Sequence, residues 1–168
     1  MRMENGSRSN KTLVVVLRGV PGSGKSTLAR ELESSLGFTR ISSDELGLKA
    51  WRAPLQEAVE RGDKYIVLDR CHSTHNQRMH ASRTLAPYKD KITTAITTLP
   101  ELPFEELKRR IKADVGHTYG IETRLIALKS HSKDRHNDKI SMAKEGWNHF
   151  IRLESNTLQE LKEHLDGF

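Results

Sequence analysis

The chain has 168 residues, of which 35% are hydrophobic and 30% charged, with a formal charge of +6 and a mean hydropathy of −0.65. That length suits one domain with a sizeable core, and no run approaches the ~18 apolar residues of a membrane-spanning helix. Cys71 is the single cysteine, so no intramolecular disulfide is possible, in keeping with a reducing, intracellular setting, cytoplasmic or nuclear.

Met1 to Asn10 is polar, includes Glu4 and lacks the apolar core of a secretory signal, so residues 1–10 are expected to form a disordered tail. Leu13 to Leu17 is a continuous Val-rich run, as a central parallel strand should be. Gly19 to Ser26 follows and fits G-x-x-x-x-G-K-[ST], the phosphate-binding P-loop pattern. Its glycines let several N–H groups converge on one phosphate. The helix that begins near Lys25 adds the positive end of its dipole. Lys25 supplies a mobile charge for the outer phosphates, and Ser26 a hydroxyl for Mg²⁺. The phosphate-binding set is therefore Gly22, Ser23, Gly24, Lys25, Ser26 and Thr27.

Leu28, Leu32 and Leu36 form one stripe of the following helix, and Gly37 fits its C-terminal cap. Phe38 to Ile41 is a short strand candidate, followed by the polar corner Ser42-Ser43-Asp44-Glu45. A helix is expected through Trp51 to Val59, with Pro54 near its start and Gly62 closing it. Tyr65 to Asp69 is the next buried strand and ends on an acid. Thr74 and Gln77 have capping-box spacing and should open a helix toward Leu85, ended by Pro87. Lys91 to Thr98 reads as a fourth strand, and Pro103 sits where a helix through Phe104 to Ile111 can begin. Gly116 to Gly120 breaks the pattern, Ile121 to Lys129 resumes a helix, and Ser130 to Asp138 reads as a loop. Trp147 to Leu153 is a last strand candidate, and Thr157 to Leu165 a terminal helix. Strands alternating with helices argue an α/β parallel sheet, whose ligands bind beyond the carboxyl ends of the strands. The P-loop, Asp44 and Asp69 all follow strands, so they should converge on one rim.

A phosphate cradle alone specifies a nucleotide; transfer also needs a carboxylate at the acceptor hydroxyl and cations over the moving phosphoryl group. Asp44, 19 residues after Lys25, is the candidate base; its plain alternative is a helix cap, a role that Ser42 or Ser43 could fill equally well. Asp69 suits a metal, directly or through water, or an anchor for Ser26. Arg70 could meet a substrate phosphate or brace Asp69. From Lys108 to Lys139 there are nine Lys/Arg against four Asp/Glu, which fits either a polyanion-binding lid or a solvated helix face. On a helix Arg109 and Arg110 point about 100° apart, so one can face phosphates while the other faces water. Lys129, Lys133 and Arg135 are weaker anion contacts. His117, in a Gly-flanked turn, suits a phosphate or nucleobase contact or a plain turn. Cys71, His72, His75 and His80 lack the paired spacing of a zinc site.

Gly-Val-Pro-Gly-Ser-Gly-Lys-Ser-Thr at 19–27, followed by Ser43-Asp44, resembles P-loop polynucleotide 5′-hydroxyl kinases. Val67-Leu68-Asp69-Arg70-Cys71-His72, with Arg78 nine residues after Asp69, is similar to the "DRNNH…R" block of the kinase module of fungal-type tRNA ligases. Arg110 to Gly120, with His117, resembles their "R…RGDNHQ" lid block, and Glu145-Gly146-Trp147 their "EGF" ending. The resemblance implies a P-loop kinase-like parallel sheet of about five strands flanked by helices, in one domain over residues 11–168 with a helical lid around 104–138. It implies transfer of the γ-phosphate of ATP or GTP, with Mg²⁺, to RNA or DNA 5′-OH ends, as in RNA repair or tRNA splicing. It makes Lys25, Asp44 and Arg110 catalytic, gives Ser26 and Asp69 to the metal, and gives Arg70, Arg78 and His117 to the substrate.

The chain departs from that pattern in three places. Gly47 stands where relatives often carry an arginine three residues after the base. Ala113 or Asp114 replaces the second lid arginine, and Cys71 and His72 replace two asparagines. Lys49, Arg52 and Arg70 are the candidates for the missing acceptor contact. A small-metabolite kinase would share the same donor site, and a non-catalytic nucleotide-dependent RNA-binding module would share the cradle without the transfer.

Overall fold

A computed structural model describes residues 10–47, 49–117, 119–133 and 142–168, the side chains of 132 and 133 excepted. The tail expected over residues 1–10 lies outside them except for Asn10, as do Arg135, the side chain of Lys133 and the 134–138 part of the expected loop.

β1 (Thr12–Arg18) is the central strand. Its side chains alternate between two cores, as the period of a strand demands. Val14 and Val16 join Ile66, Leu68, Trp51, Leu55 and Leu85 on one face. Leu13, Val15 and Leu17 join Val67, Leu28, Leu32 and Leu161 on the other. The second face is covered by α1 (Lys25–Leu36) and the terminal α7 (Leu158–Leu165), and the first by α3 (Arg52–Arg61) and α4 (His75–Leu85). Burial on both faces explains why β1 and β3 (Tyr65–Asp69) read as unbroken apolar runs.

All pairings are parallel, with the order β2-β3-β1-β4-β5. β2 is Thr39–Ser42, β4 is Ile92–Thr98 and β5 is His149–Arg152. The chain leaves β1 toward β2 and leaves β3 toward β4, on opposite faces. That divergence opens a crevice beyond the C-terminal ends of β1 and β3, where ligands of such sheets bind.

The local punctuation behaves as its chemistry requires. Gly37 closes α1 at φ 69°, its N–H bonded to Glu33. Thr74 and Gln77 form a full capping box at the start of α4. Pro54 sits in the first turn of α3, where its missing N–H costs no helical bond. The corner after β2 is itself a short helix, α2 (Ser43–Leu46), which the sequence pattern did not call for. Its N-cap is Ser42, without a side-chain bond, so Asp44 does not serve as the cap.

α5 (Phe104–Ala113) and α6 (Ile121–Lys133) make a lid with a small core of its own. Leu107, Ile111 and Leu128 pack there on Val20 of the phosphate loop. α6 runs through residues 130–133, where the polar composition suggested a loop; the buried Leu128 and the bond between Ser73 Oγ and His131 Nδ1 (2.9 Å) hold that last turn down.

Candidate active site

A cavity of about 620 Å³ lies over the C-terminal rim, between the phosphate loop, the ends of β2 and β3, and the lid. Its floor is the Gly22–Thr27 loop. Gly22 and Gly24 hold φ of 83° and 96°, a left-handed backbone that other residues adopt only with strain. A Cβ on Gly22 would also stand 2.9 Å from the Leu107 carbonyl, so the lid helix rests on the loop itself. No side chain caps the first turn of α1, and the N–H groups of that turn have no helical acceptors. The loop therefore offers donors and a positive dipole end to one anion. Lys25 Nζ is poised above it, donating to the Val20 carbonyl (2.8 Å) and the Ser23 hydroxyl (3.3 Å).

Ser26 Oγ donates to Asp69 Oδ1 at 3.1 Å. The other carboxylate oxygen takes two bonds from Arg40, Nε at 3.0 Å and Nη2 at 2.7 Å. Arg40 also donates to Glu45 (2.9 Å). Burial works against its charge, yet its bonds to Asp69 and Glu45 outweigh burial and raise its pKa. The sequence reading missed Arg40 and offered Arg70 as the brace of Asp69; the brace is Arg40. The available signal was a lone cation on a short strand that pairs with β3, with Ser42 opposite Asp69.

Asp44 projects into the cavity from the first turn of α2. The lid reaches it through His117, whose Nε2 lies 3.4 Å from Asp44 Oδ2. His117 Nδ1 accepts the Tyr119 N–H at 3.1 Å. In the neutral ring that bond leaves the proton on Nε2, facing the carboxylate. Arg110 lines the cavity while Arg109 points outward, as their helical spacing requires. Both hold Glu106, Arg109 through two bonds and Arg110 through one, and these bonds lower its pKa to about 2. Arg124 of α6 also lines the cavity, bonded to Asp114 Oδ2 (3.0 Å) and to the Asp114 carbonyl (3.2 Å). It is a lid cation that sequence spacing did not identify, because it sits on a different helix from Arg110.

Arg70 lines the cavity with its Cζ 4.3 Å from the centre of the Trp51 ring. Burial lowers its pKa. Arg78 does not reach the cavity. It is fully buried in α4, with Nε on Glu145 Oε2 (2.9 Å) and Nη2 on Oε1 (3.0 Å). Its Nη1 donates to the carbonyls of His72 (3.2 Å) and Ser73 (3.0 Å). Glu145 also accepts from Trp147 Nε1 and His75 Nδ1, both at 2.8 Å. Arg78 therefore corrects the expectation of a substrate contact: its guanidinium is consumed in fastening the segment after the lid to the loop after β3.

The Cys71–His80 residues diverge. Cys71 lines the cavity, His75 meets Glu145, and His80 Nδ1 meets Arg52 Nη2 at 2.6 Å. His72 is buried, with φ 46° and Nδ1 on the Leu17 carbonyl (2.9 Å). Burial holds its pKa down at about 3, so the ring is neutral. Among the described residues no group of three or more His, Cys, Asp or Glu side chains could hold a metal. Of the weaker lid cations, Lys129 is exposed outside the cavity lining.

A family model described as an AAA domain matches residues 14–55, from β1 into the first turn of α3. No curated protein matches the sequence. Many solved structures share the fold, three of which follow. A fungal RNA kinase aligns with a TM-score of 0.67 at 18% identity, over 95% of this chain and 86% of its own. Kti12 of Chaetomium thermophilum, solved with ADP-AlF3, aligns with 0.61 at 20% identity, over 91% and 97%. A gluconokinase from Sinorhizobium meliloti 1021 aligns with 0.52 at 15% identity, over 95% and 92%. The architecture is that of P-loop kinases, a five-stranded parallel sheet between helices.

Proposed function

We propose that the chain is a polynucleotide 5′-hydroxyl kinase that moves the γ-phosphate of ATP or GTP to the 5′-OH end of an RNA. The observation that carries this reading is one cavity with two unlike walls: a phosphate cradle with Lys25 and Ser26, and a second wall that contains Asp44 and Arg70. The likeness of fold to a fungal RNA kinase supports the choice of acceptor, as does the basic balance of the chain, since cationic surfaces favour polyanions.

In this mechanism the nucleoside triphosphate lies on the Gly22–Thr27 loop, with Lys25 on its outer phosphates. Asp44 accepts the proton of the 5′-OH as that oxygen attacks the γ-phosphorus in line. The bond from the γ-phosphorus to the bridging oxygen breaks, and the products are a 5′-phosphate end and a nucleoside diphosphate. Arg110 stands over the transferring group from the lid, and Arg124 stands beside it. The Nε2–H of His117 keeps Asp44 turned into the cavity until the acceptor arrives. Ser26 Oγ and Asp69 Oδ1 are hard oxygen donors side by side, which suits Mg²⁺ with Ser26 as ligand and Asp69 acting through water. When bound, the ion supplies charge neutralisation at the β- and γ-phosphates.

The test is label transfer from γ-labelled ATP and GTP to a 5′-OH RNA, a 5′-OH DNA and a panel of small alcohols. The expected result is a labelled RNA end and a rate that falls with salt. A salt-insensitive rate confined to a free sugar or nucleoside would replace this reading with a small-metabolite kinase, a class to which the similar gluconokinase structure belongs by name. Nucleotide and RNA binding without transfer would leave a non-catalytic binding module.

A further inference from the structure

Gln77 completes the capping box of α4, yet its side chain also lines the cavity. Its Oε1 accepts the Ser73 N–H at 3.1 Å and the Thr74 N–H at 3.2 Å. Turning the amide over would set its NH2 group against those two donors, so the side chain is locked with its nitrogen toward the cavity. Among the described residues nothing bonds to that Nε2. The cavity therefore meets a fixed pair of N–H donors at this point.

The other side of this part of the cavity is α6. Thr123, Ala127 and His131 line it and recur at i, i+4 and i+8, one stripe of the helix. Leu125 and Leu128 turn the other way, into the lid core. Ser73 ties the two sides together: its backbone N–H meets Gln77, and its hydroxyl meets His131 Nδ1 at 2.9 Å. Ser73 is buried, and Arg78 holds its carbonyl at 3.0 Å. The gap between Gln77 and α6 is thus set by the fold. Ala127 and Cys71 give this slot apolar sides, and Gln77 gives it a polar edge. A flat ring with apolar faces and a hydrogen-bonding rim matches that profile, as an unpaired RNA base does. The slot continues the acceptor wall, because Cys71 follows Arg70, whose charge burial disfavours and Asp44 favours.

We propose that the slot between Gln77 and α6 binds the base of the acceptor's 5′-terminal nucleotide, and that Gln77 makes it favour guanine and uracil over adenine and cytosine. The inference rests on the polynucleotide reading and adds base selectivity to it. The two N–H groups of Gln77 find acceptors on guanine, at O6 and N7, and on uracil, at O4. Adenine and cytosine bring an amino group to the same edge, which sets donor against donor. Gln77 is the specificity-determining residue. Ser73 and His131 are positioning residues that fix the width of the slot.

The test uses the full chain and four 5′-OH oligoribonucleotides that differ only in the 5′ base, with a fifth whose 5′ residue is abasic. Each is labelled from γ-labelled ATP and again from γ-labelled GTP. One hydrogen bond is worth about 2- to 12-fold. The wild type should label the G and U ends with a kcat/KM higher by that factor than the A and C ends. Gln77→Glu keeps the capping box, which takes either residue, and turns an acceptor toward the slot. The order should then reverse, with the A and C ends preferred. The readout is a ratio among ends within one variant, so a general effect of the new charge cancels. Ala127→Leu leaves Gln77 in place and fills the slot. It should raise the acceptor KM about fivefold or more for the four ends that carry a base, with little change for the abasic end, and it serves as the readout if Gln77→Glu does not fold. Equal labelling of the four bases by the wild type would overturn the inference and leave the kinase reading standing. So would an order that Gln77→Glu leaves unchanged, or an abasic end as sensitive to Ala127→Leu as the rest. A Gln77→Glu variant that shifts only the preference between ATP and GTP would give the slot to the donor base and overturn it as well. A wild type that labels no 5′-OH oligonucleotide would overturn both readings.

Discussion

The two walls of the cavity are built on opposite principles. On the donor wall the polar groups satisfy one another: Lys25 on Val20 and Ser23, Ser26 on Asp69, Asp69 on Arg40. It is a preorganised cradle, and preorganised dipoles are what stabilise a transferring phosphoryl group. The acceptor wall is looser. Among the described residues Asp44, 37% exposed, has its one ion pair with His117 from a separate lid turn at 3.4 Å, and Arg70 Nη1 is buried without a hydrogen-bond partner. On the proposed reading the triphosphate is the same whatever the acceptor, so its site can be completed in advance. The acceptor site has to be completed by the acceptor.

If the walls are separable in this way, the largest effect should come from the acceptor carboxylate and should leave the donor wall untouched. Asp44→Ala is expected to lower the turnover of 5′ phosphorylation by about 10²- to 10⁴-fold. Nucleotide affinity, read by titration calorimetry, should change by less than about twofold. Near-normal turnover in that variant would remove Asp44 from the base role, and a matching loss of nucleotide affinity would dissolve the division between the walls.

The next effect concerns what holds the acceptor wall up. Arg78 and Glu145 are 0% and 1% exposed and bind each other, while Arg78 also ties the carbonyls just beyond Arg70. Glu145→Ala removes the carboxylate that neutralises the buried Arg78 guanidinium, which costs about 3–5 kcal/mol. Denaturant unfolding should register that loss. In the fraction that remains folded, acceptor KM should rise more than triphosphate KM, because the network supports residues 72–73 rather than the phosphate loop.

The donor wall has its own, smaller test. Arg40→Gln removes the two bonds on Asp69 Oδ2 and leaves the Ser26 bond in place. Triphosphate affinity measured in the presence of Mg²⁺ should weaken by about tenfold, the value of one charge-assisted hydrogen bond. Acceptor KM should hold steady. A variant that shifts both constants equally would mean that Arg40 shapes the whole rim.

This asymmetry also governs what could be read from the sequence. The phosphate cradle of the donor wall is a local object: strand, loop and first helical turn are consecutive, so the run from Leu13 to Thr27 contains its geometry. The capping box at Thr74 is local in the same sense. Arg40 was not legible as a partner, because its acid lies 29 residues away across a strand pair whose register the sequence does not state. Arg78 misled for the same reason. Its block of residues looked like substrate chemistry, but the carboxylate that claims it stands 67 residues further on. Asp44 could be singled out by spacing, whereas His117 turning toward it depends on a lid fold that no periodicity encodes.

His72 offers the smallest expected change at neutral pH and the sharpest one in acid. It occupies φ 46°, a left-handed conformation that Asn tolerates better than most residues. The kinase block that residues 67–72 resemble carries Asn there, which fits the backbone demand. Burial keeps the folded-state pKa near 3, below the ordinary 6.5. Between those values the unfolded chain holds a proton that the folded chain does not, so stability falls as pH drops through that window and recovers as pH rises. At pH 5 the loss is about 2 kcal/mol, because each pH unit below the ordinary histidine value costs about 1.4 kcal/mol. His72→Asn should fold, cost under about 1.5 kcal/mol at pH 7.5, and flatten the fall in denaturation midpoint between pH 7.5 and pH 5. Glu145, whose bonds to Arg78, Trp147 and His75 overcome burial and lower its pKa, gives way only below the ordinary carboxylate range, so it does not mask the His72 window. A variant that keeps the full wild-type slope would show that the buried imidazole is protonated in the folded chain and finds a partner for its second nitrogen.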